Sequence, residues 1–167
     1  MEAVSSSNSL NDNWNLYYHL PQDKQWDLSS YKLIMGNIDT VEKLIAVTKA
    51  IPDHTVQNCM LFVMRNGITP TWEDPMNRSG GCFSFKILMK QVAPIWKTLL
   101  YLLCGETLLT DSMKSNKVTG VTISPKKNFS IVKIWLSDCA IQDTMSITNI
   151  PNLSKHGCLF KKHEPEY

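Results

Sequence analysis

The sequence lacks the features that mark several large classes of protein. Its 167 residues contain no apolar run of about 18 residues, the length that a membrane-spanning helix needs. The start of the chain has neither the basic segment nor the apolar stretch of a signal peptide. The five cysteines stand singly without CxxC spacing, which favours reduced thiols. We therefore expect a cytoplasmic protein that does not associate with membranes.

Strong charge of either sign is also missing. Lysine and arginine number 17 against 15 for aspartate and glutamate, which gives a formal net charge of +2. So small a surplus excludes a protein that binds nucleic acid through bulk charge. Any site for an anion has to be a local cluster of basic side chains.

Common catalytic motifs are absent as well. We find no P-loop, no GxGxxG, no HExxH and no GxSxG. The four histidines are isolated, and the pair His156 and Cys158 is too closely spaced for a metal site and lacks further ligands. The simplest interpretation is inert thiols and surface histidines, in a protein with no catalytic residues, no metal and no cofactor.

What is present is enough apolar material for one folded domain. The chain is 43% hydrophobic and 19% charged, so it can fill a core, and its length favours a single domain. The first 13 residues, rich in Ser and Asn, are predicted to form a flexible tail. Residues 14–167 are predicted to form the domain.

The hydrophobic pattern predicts strands and helices in alternation. Strands are expected near residues 14–20, 57–65, 82–88, 118–124, 129–137 and 157–162. One helix is predicted to follow Asp39, as an N-cap with Glu42 in a capping box, and to stop at Pro52. Another is predicted from Pro94 to Cys104, and a weak one after residue 140. These elements predict an α+β domain, a curved antiparallel sheet with helices packed on its convex face.

The placement of tryptophan is unusual. Trp26 ends a polar loop and Trp72 directly precedes Glu73, and neither tryptophan belongs to a periodic apolar stripe. A single loop tryptophan more often packs as a lid, but two of them suit a flat cationic ring, with a cation–π attraction of about 2 kcal/mol. A carboxylate beside them can accept the N–H donors of a guanine edge. The hairpin lysines Lys126 and Lys127 would then meet an attached phosphate chain.

The segments around these tryptophans resemble one known family. GITPTWED at residues 67–74, followed by NRSGG at 77–81, resembles the signature loop of eukaryotic translation initiation factor 4E. Three further blocks match in order and at similar spacing: residues 38–42, Trp96 with Gly105 and Glu106, and residues 133–139. The resemblance runs from about Trp14 to Cys139. It implies a cupped antiparallel sheet backed by helices, and binding of the 7-methylguanosine cap of messenger RNA.

The resemblance also implies roles for individual residues in binding the cap. Trp26 and Trp72 match the two tryptophans that sandwich the methylated base. Glu73 matches the carboxylate that accepts the N1 and N2 protons of guanine, and Trp135 matches the tryptophan beside the N7 methyl group. Methylation makes the base cationic, so a stack on unmethylated guanine loses the attraction of the charge.

The positions that hold the cap phosphates in the family are altered here. Cys82 stands where the family has an arginine, and Ser124 and Ile131 stand where it has its phosphate-binding arginine and lysine. The alternative for the basic residues nearby is a solvated turn. The candidates to supply the lost charge are the lysines of the hairpin: Lys126, Lys127 and Lys133.

The surface that docks protein partners in the family, on the side away from the cap, is altered too. Ile45 replaces a tryptophan in the first helix, and Leu10 is the clear remainder of a His-Pro-Leu motif. A partner helix would therefore find poor anchors. The positions concerned are Leu10, Val41, Ile45, Lys97, Thr98 and Tyr101.

The leading hypothesis is a cap-binding protein that recruits capped messenger RNA for translation initiation, with a factor 4G-type scaffold or a binding protein as partner. An alternative keeps cap binding without the usual scaffold, as in a translational repressor or decoy. A third hypothesis, an interaction module that no longer binds the cap, is supported by Cys82, Ser124 and Ile131, but the intact residues of the base site argue against it: Trp26, Trp72, Glu73 and Trp135. A fourth, a hydrolase of capped nucleotides, needs a cluster of acidic metal ligands that the sequence does not provide.

Overall fold

A computed structural model describes residues 6–164 and shows one sheet with helices packed on it. Within these residues, seven strands pair antiparallel in the order β2-β1-β3-β5-β6-β4-β7. The strands are Ser9–His19 (β1), Lys32–Thr40 (β2), Met60–Arg65 (β3), Gly81–Leu88 (β4), Val118–Pro125 (β5), Phe129–Leu136 (β6) and Leu159–Lys162 (β7). The predicted fold class is confirmed.

Three α-helices lie in the described part of the chain: Val41–Ala50 (α1), Asp53–Asn58 (α2) and Val92–Cys104 (α3). The helix α3 contacts β1 and β5 and also packs against α1 and α2, so it is central to the helical layer. None of the helices within residues 6–164 has the length and apolar character needed to cross a membrane.

The sheet has two different faces because side chains alternate along each strand. In β6, Val132 and Ile134 are fully buried in the main core under the helices, as are Phe83 and Phe85 in β4. The neighbours in β6 point the other way. Alternate side chains of each central strand therefore pack in the core between sheet and helices, and the remaining side chains line the opposite face of the sheet.

The beginning of the fold differs from the sequence prediction. Strand β1 begins at Ser9 rather than near Trp14, and Leu10 packs against the core, so residues 9–13 of the predicted tail are part of the sheet. The missed strand β2 pairs with β1 through an irregular register, and Asn37 within it has a φ of 54°. Irregular pairing of this kind removes the alternation by which a strand is recognised.

The predicted start of α1 is wrong by one residue. Thr40 is the N-cap, and its side chain accepts a hydrogen bond from the Lys43 backbone N–H at 3.2 Å. Asp39 instead forms an ion pair with Lys43 at 2.7 Å. Glu42 accepts hydrogen bonds from the backbone and side chain of Asn8 rather than closing a capping box. Asn8 reaches Glu42 because β1, which follows Asn8, pairs with β2, the strand that leads into α1.

Other boundaries shift by a few residues. The predicted strand from Gln57 begins only at Met60, because the short helix α2 occupies the residues before it. Helix α3 begins at Val92, before Pro94. The weak helix expected after residue 140 is reduced to a single 3₁₀ turn, Thr144–Ser146.

The C-terminal strand β7 pairs with β4 at the edge of the sheet, with Cys82 opposite Lys161 and Gly81 opposite Lys162. Little space remains there for side chains. A Cβ atom on Gly80 would overlap the carbonyl group of Leu136, and one on Gly81 would lie 2.5 Å from the Lys161 carbonyl oxygen. The two glycines therefore let β4, β6 and β7 approach closely.

Candidate cap-binding cleft

A cleft of about 630 Å³ opens on the face of the sheet away from the helices. Its floor comes from the outward half of β3, β5 and β6, and its walls come from the loop before Tyr31 and the loop after β3. The residues that line it are Trp26, Tyr31, Met60, Phe62, Pro70, Thr71, Trp72, Glu73, Thr122, Ser124, Lys126, Ile131, Lys133 and Trp135. The structure thus brings together all four residues predicted to bind the base.

Trp26 forms one wall of the cleft and rests on His19. The two rings are stacked, with centroids 4.0 Å apart and an interplanar angle of 2°, while Trp26 stays 54% exposed. His19 is fully buried, and its ring nitrogens lie 2.9 and 2.8 Å from the carbonyl oxygens of Leu20 and Gln25. The predicted surface position is therefore wrong for His19. One face of the Trp26 indole is covered by His19, so the other face is available to the cleft.

Tyr31 supports the same wall from the side. Its ring meets the rings of Trp26 and Phe62 edge to face, with centroid separations of 6.3 and 5.2 Å. Burial raises the pKa of Tyr31 to about 12, and the negative charge of Glu73 adds to the shift. The phenol is therefore neutral at ordinary pH and lies close to the carboxylate of Glu73.

Trp72 and Glu73 lie on a loop that is held by its own polar residues. The carboxylate of Asp74 accepts hydrogen bonds from the backbone N–H groups of Thr69 and Met76, at 2.8 and 2.9 Å. The side-chain amide of the fully buried Asn77 donates to the Thr71 carbonyl at 2.9 Å. These bonds fix the backbone on both sides of Trp72. They account for an ordered loop between β3 and β4.

Trp135 lies between the two walls. Its indole is 8% exposed, and its Nε1 donates a hydrogen bond to the Thr122 hydroxyl at 3.2 Å. It belongs to a small apolar cluster on this face with Met64, Ile68 and Cys82, and Trp72 packs against the same cluster. Trp135 and Trp72 are therefore fixed by shared packing, which does not include Trp26.

The hairpin lysines do not all face the cleft. Lys126 and Lys133 line it, but Lys127 lines a separate depression with residues of the 3₁₀ turn after β4 and the end of α2. Ser124 and Ile131 also line the cleft, at the positions where the resemblance expects an arginine and a lysine. The end of the cleft nearest the hairpin therefore has one cationic side chain, Lys126.

A comparison with protein families matches residues 9–164 of this chain to the model of eukaryotic initiation factor 4E. The chain belongs to that family. It is similar to translation initiation factor 4E of Candida glabrata, with 28% identity over 146 residues, 84% of this chain and 67% of the relative. It is 30% identical over 131 residues to the Saccharomyces cerevisiae factor, of which it spans 60%.

Solved structures of the family share the fold. Schistosome factor 4E, solved with m7GpppG and 4E-BP, has a TM-score of 0.71 and 23% identity, with 81% of this chain and 75% of that chain aligned. Ascaris suum eIF4E-3, solved with the m7G cap, has a TM-score of 0.69 and 21% identity, with 80% and 76% aligned. The architecture is thus kept at low sequence identity.

The residues predicted for the family's partner surface lie on the helical side of this member. Val41 and Ile45 are in α1, and Tyr101 is in α3, which packs against α1. Ile45 is 36% exposed and Tyr101 is 42% exposed. Lys97 pairs with Asp53 of α2 at 3.6 Å. Thr98 donates its hydroxyl to a carbonyl of its own helix, and Leu10 is partly buried.

Sequence analysis missed several cleft residues of this family member. His19 and Tyr31 carry no local signal, because their roles depend on contact with Trp26 across a loop. Phe62 was detectable in principle, because β3 is apolar on both faces and a strand in a half-solvated sheet ordinarily alternates. Within residues 6–164, no group of three or more histidine, cysteine or acidic side chains could hold a metal ion.

Proposed function

We propose that this protein binds the 7-methylguanosine cap of messenger RNA in the cleft and acts in translation initiation in the cytoplasm, without catalytic turnover. The observation that carries the proposal is one cleft that holds the exposed face of Trp26, the half-buried Trp72 and the carboxylate of Glu73. The relatives that are named translation initiation factor 4E, and those solved with a cap, support the same ligand.

The base is held by stacking between the two indoles. Stacking of a base on an aromatic ring contributes about 1–3 kcal/mol, and a desolvated cation adds about 2 kcal/mol on the face of tryptophan. Trp26 needs no further ordering to present its face, because His19 already covers the other side. The positive charge of the methylated base is what separates it from unmethylated guanine.

The edge of the base is held by Glu73. A carboxylate offers two acceptors, which match the N1 and N2 donors of guanine, and the backbone N–H of Trp72 is the donor for O6. Trp135 lies beside the N7 methyl group, where an apolar surface suits it. Adenine lacks this pattern of donors, so Glu73 gives the base specificity.

Basic side chains at the cleft meet the phosphates. Lys133 and, at the exposed end of the cleft, Lys126 are the lysines that line it. Lys127 lines a separate depression, so its contribution is expected to be small. Lysine acts on phosphate as a point charge, which makes these contacts weaker and more sensitive to salt than an arginine fork.

Titration of tryptophan fluorescence with 7-methylguanosine triphosphate and unmethylated GTP tests the proposal. We expect the methylated nucleotide to bind at least about tenfold more tightly, since the cation contributes about 2 kcal/mol. Equal affinity for the two nucleotides would contradict the stack.

A second arm of the same titration uses Glu73→Gln. The amide has one acceptor and one donor, and the donor opposes a guanine N–H, so we expect a loss of about tenfold or more. The preference for methylated guanine over methylated adenine nucleotides should disappear. A variant that keeps the guanine preference would remove Glu73 from the site.

A repressor or decoy that binds the cap without the usual scaffold is the second candidate. The observation that favours it is on the helical side, where Ile45 replaces a large aromatic anchor and Lys97 is already paired with Asp53. A pull-down with an initiation factor 4G-type peptide distinguishes the two. Retention of the peptide supports recruitment of capped messenger RNA to the scaffold, and loss of it supports the decoy.

A further inference from the structure

A second cleft of about 480 Å³ adjoins the first on the same face of the sheet. The two share four lining residues: Trp72, Glu73, Lys133 and Trp135. A molecule seated between the tryptophans can therefore extend from one cleft into the other without leaving the protein surface. The second cleft is completed by Cys82 and by the C-terminal residues Lys161, Lys162, His163 and Glu164.

The side chains of β7 explain how this cleft becomes cationic. Phe160 packs against Phe83 in the core, with ring centroids 5.2 Å apart. Because neighbouring residues of a strand point to opposite faces, Lys161 is directed to the face that carries the clefts. It lies opposite Cys82 in the pairing of β7 with β4. The strand thus adds a basic side chain beside a position that has no charge of its own.

Two lysines of the second cleft act electrostatically on the Cys82 thiol. Burial raises the pKa of the Cys82 thiol, and the positive charges of Lys133 and Lys161, which line the same cleft, oppose this shift. Lys133 comes from β6 and Lys161 from β7, on either side of β4. The acidic residues at the cleft, Glu73 and Glu164, are fewer than the lysines.

His163 closes the cleft in a fixed position. Its backbone N–H donates to the Gly80 carbonyl at 2.9 Å, and its Nδ1–H donates to the Asn77 carbonyl at 2.7 Å. The imidazole lies against Trp135, with ring centroids 4.9 Å apart. Because Nδ1 carries the hydrogen that the Asn77 carbonyl accepts, Nε2 of the neutral ring is an acceptor, so His163 shapes the cleft and the lysines supply its positive charge.

The first cleft offers less for an anion. It has two lysines: Lys133, which it shares with the second cleft, and Lys126, which is exposed and borders the separate depression as well, whereas Ser124 and Ile131 are neutral. The second cleft has three lysines from two strands. We propose that the second cleft is an anion site that binds the phosphate chain attached to a nucleoside held between Trp26 and Trp72. This inference rests on the proposed cap binding and assigns the phosphates mainly to Lys133, Lys161 and Lys162.

Two double variants with the same loss of charge test the assignment. Lys161→Ala with Lys162→Ala removes the C-terminal lysines, and Lys126→Ala with Lys127→Ala removes the hairpin lysines as the matched control. For each protein, fluorescence titration gives the affinities for 7-methylguanosine and for its triphosphate. Thermal unfolding checks that both variants are folded.

We expect both variants to bind the nucleoside like the unaltered protein. The advantage of the triphosphate over the nucleoside should fall about tenfold in the C-terminal variant and about threefold or less in the hairpin variant. The advantage should also shrink as salt is added, because the lysines are exposed. An undiminished advantage in the C-terminal variant, or a larger loss in the hairpin variant, would overturn the proposal.

Inorganic tripolyphosphate separates this inference from the proposed function. If the unaltered protein binds no methylated nucleoside, cap binding is wrong, but calorimetric titration with tripolyphosphate still tests the second cleft. Affinity for tripolyphosphate that is lost in the C-terminal variant and kept in the hairpin variant supports the anion site. Equal affinity in all three proteins overturns it.

Discussion

The loop that carries Trp26 differs from the loop that carries Trp72 in what holds it. Trp26 is 54% exposed and rests on a single stacked ring, that of His19. Trp72 is half-buried against an apolar cluster, and its loop is fixed by the hydrogen bonds of Asp74 and Asn77. Two walls of one cleft are therefore built by different physical means.

Because the two tryptophans are held differently, their substitutions should affect ligand affinity and fold stability to different extents. Trp26 contributes little packing, so its removal should affect the ligand and leave the fold intact. Trp72 is part of a packed cluster, so its removal should affect both. A site of this kind can tolerate change in one wall more easily than in the other.

The largest expected effect comes from replacing each tryptophan in turn. Trp72→Ala and Trp26→Ala should each reduce cap affinity by about a hundredfold, since each loses one stacking face. Trp72→Ala should also lower the free energy of unfolding by roughly 1–3 kcal/mol, because its ring is partly buried. Trp26→Ala should change the free energy of unfolding by no more than about 0.5 kcal/mol.

Urea unfolding and fluorescence titration of both variants provide the measurements. Trp135 remains as an optical probe in each. Equal destabilisation by the two substitutions would show that the walls are not held differently.

Asp74→Ala should weaken the Trp72 wall without touching the ligand. The buried carboxylate accepts from two backbone N–H groups and from the Thr69 hydroxyl, and bonds to a charged group contribute about 1.5–3 kcal/mol each. We expect cap affinity to fall roughly thirtyfold as the loop loses its fixed form.

The matched control for Asp74→Ala is Asp111→Ala. Asp111 accepts from the Met113 backbone N–H at 3.1 Å and caps a 3₁₀ helix that does not line the cleft. Fluorescence titration should show unchanged affinity there. A comparable loss in both variants would mean that Asp74 acts through general stability.

His19→Ala should reduce cap affinity by less than Asp74→Ala does, because it loosens the Trp26 wall only. The indole keeps its edge contact with Tyr31 but loses the ring beneath it, and we expect affinity to fall about tenfold. His19→Phe keeps an aromatic ring under Trp26 and loses the contacts to the carbonyls of Leu20 and Gln25.

Titration of the two His19 variants distinguishes the stack from the polar contacts. We expect the cap affinity of His19→Phe to stay within about threefold of that of the unaltered protein, because stacking on Trp26 is the main contribution of His19. Equal losses in His19→Ala and His19→Phe would assign the role to the carbonyl contacts instead.

The smallest effect concerns the hydrogen bond from His163 to the Asn77 carbonyl, which ties the Trp72 loop to the residues after β7. Burial lowers the pKa of His163; the Asn77 bond opposes this shift and the charge of Lys133 adds to it. The unfolded chain then binds more protons, so stability should fall as pH drops below about 6.5. Solvent screening limits the change to roughly a few tenths of a kcal/mol.

Urea unfolding at about pH 7.5 and 5.5 measures this dependence, which should shrink in His163→Gln. His156→Gln, at an exposed position, is the control. A larger stability loss in acid for His163→Gln than for the unaltered protein would contradict the sign.

The sequence was sufficient for most of the sheet and for the residues that we propose to bind the base. The alternation in β4 and β6 was clear enough to separate core from cleft, and Trp26 and Trp72 stood out because no apolar stripe contained them. The strand β2 was missed because its pairing with β1 is irregular. His19 was misjudged as a surface residue because a stacked ring across a loop leaves no mark on local sequence.

The basic residues that line the two clefts were the hardest part to predict. The hairpin lysines were candidates from their position in the chain alone, and one of them, Lys127, does not reach the cleft. The basic residues of β7 lie beside Cys82 only because the sheet pairs β4 with β7. Such long-range pairing follows from the topology and cannot be deduced from spacing.

The close approach of three strands at Gly80 and Gly81 has a consequence for how this protein can evolve. A side chain at either position would meet the backbone of Leu136 or Lys161, so substitutions there are closed to natural variation. Cys82, the next residue, is buried in the small apolar cluster and also lines the second cleft. Tolerance to mutation thus changes between neighbouring residues. A substitution at Cys82 can alter the charge of the second cleft while Gly80 and Gly81 keep the three strands in close contact.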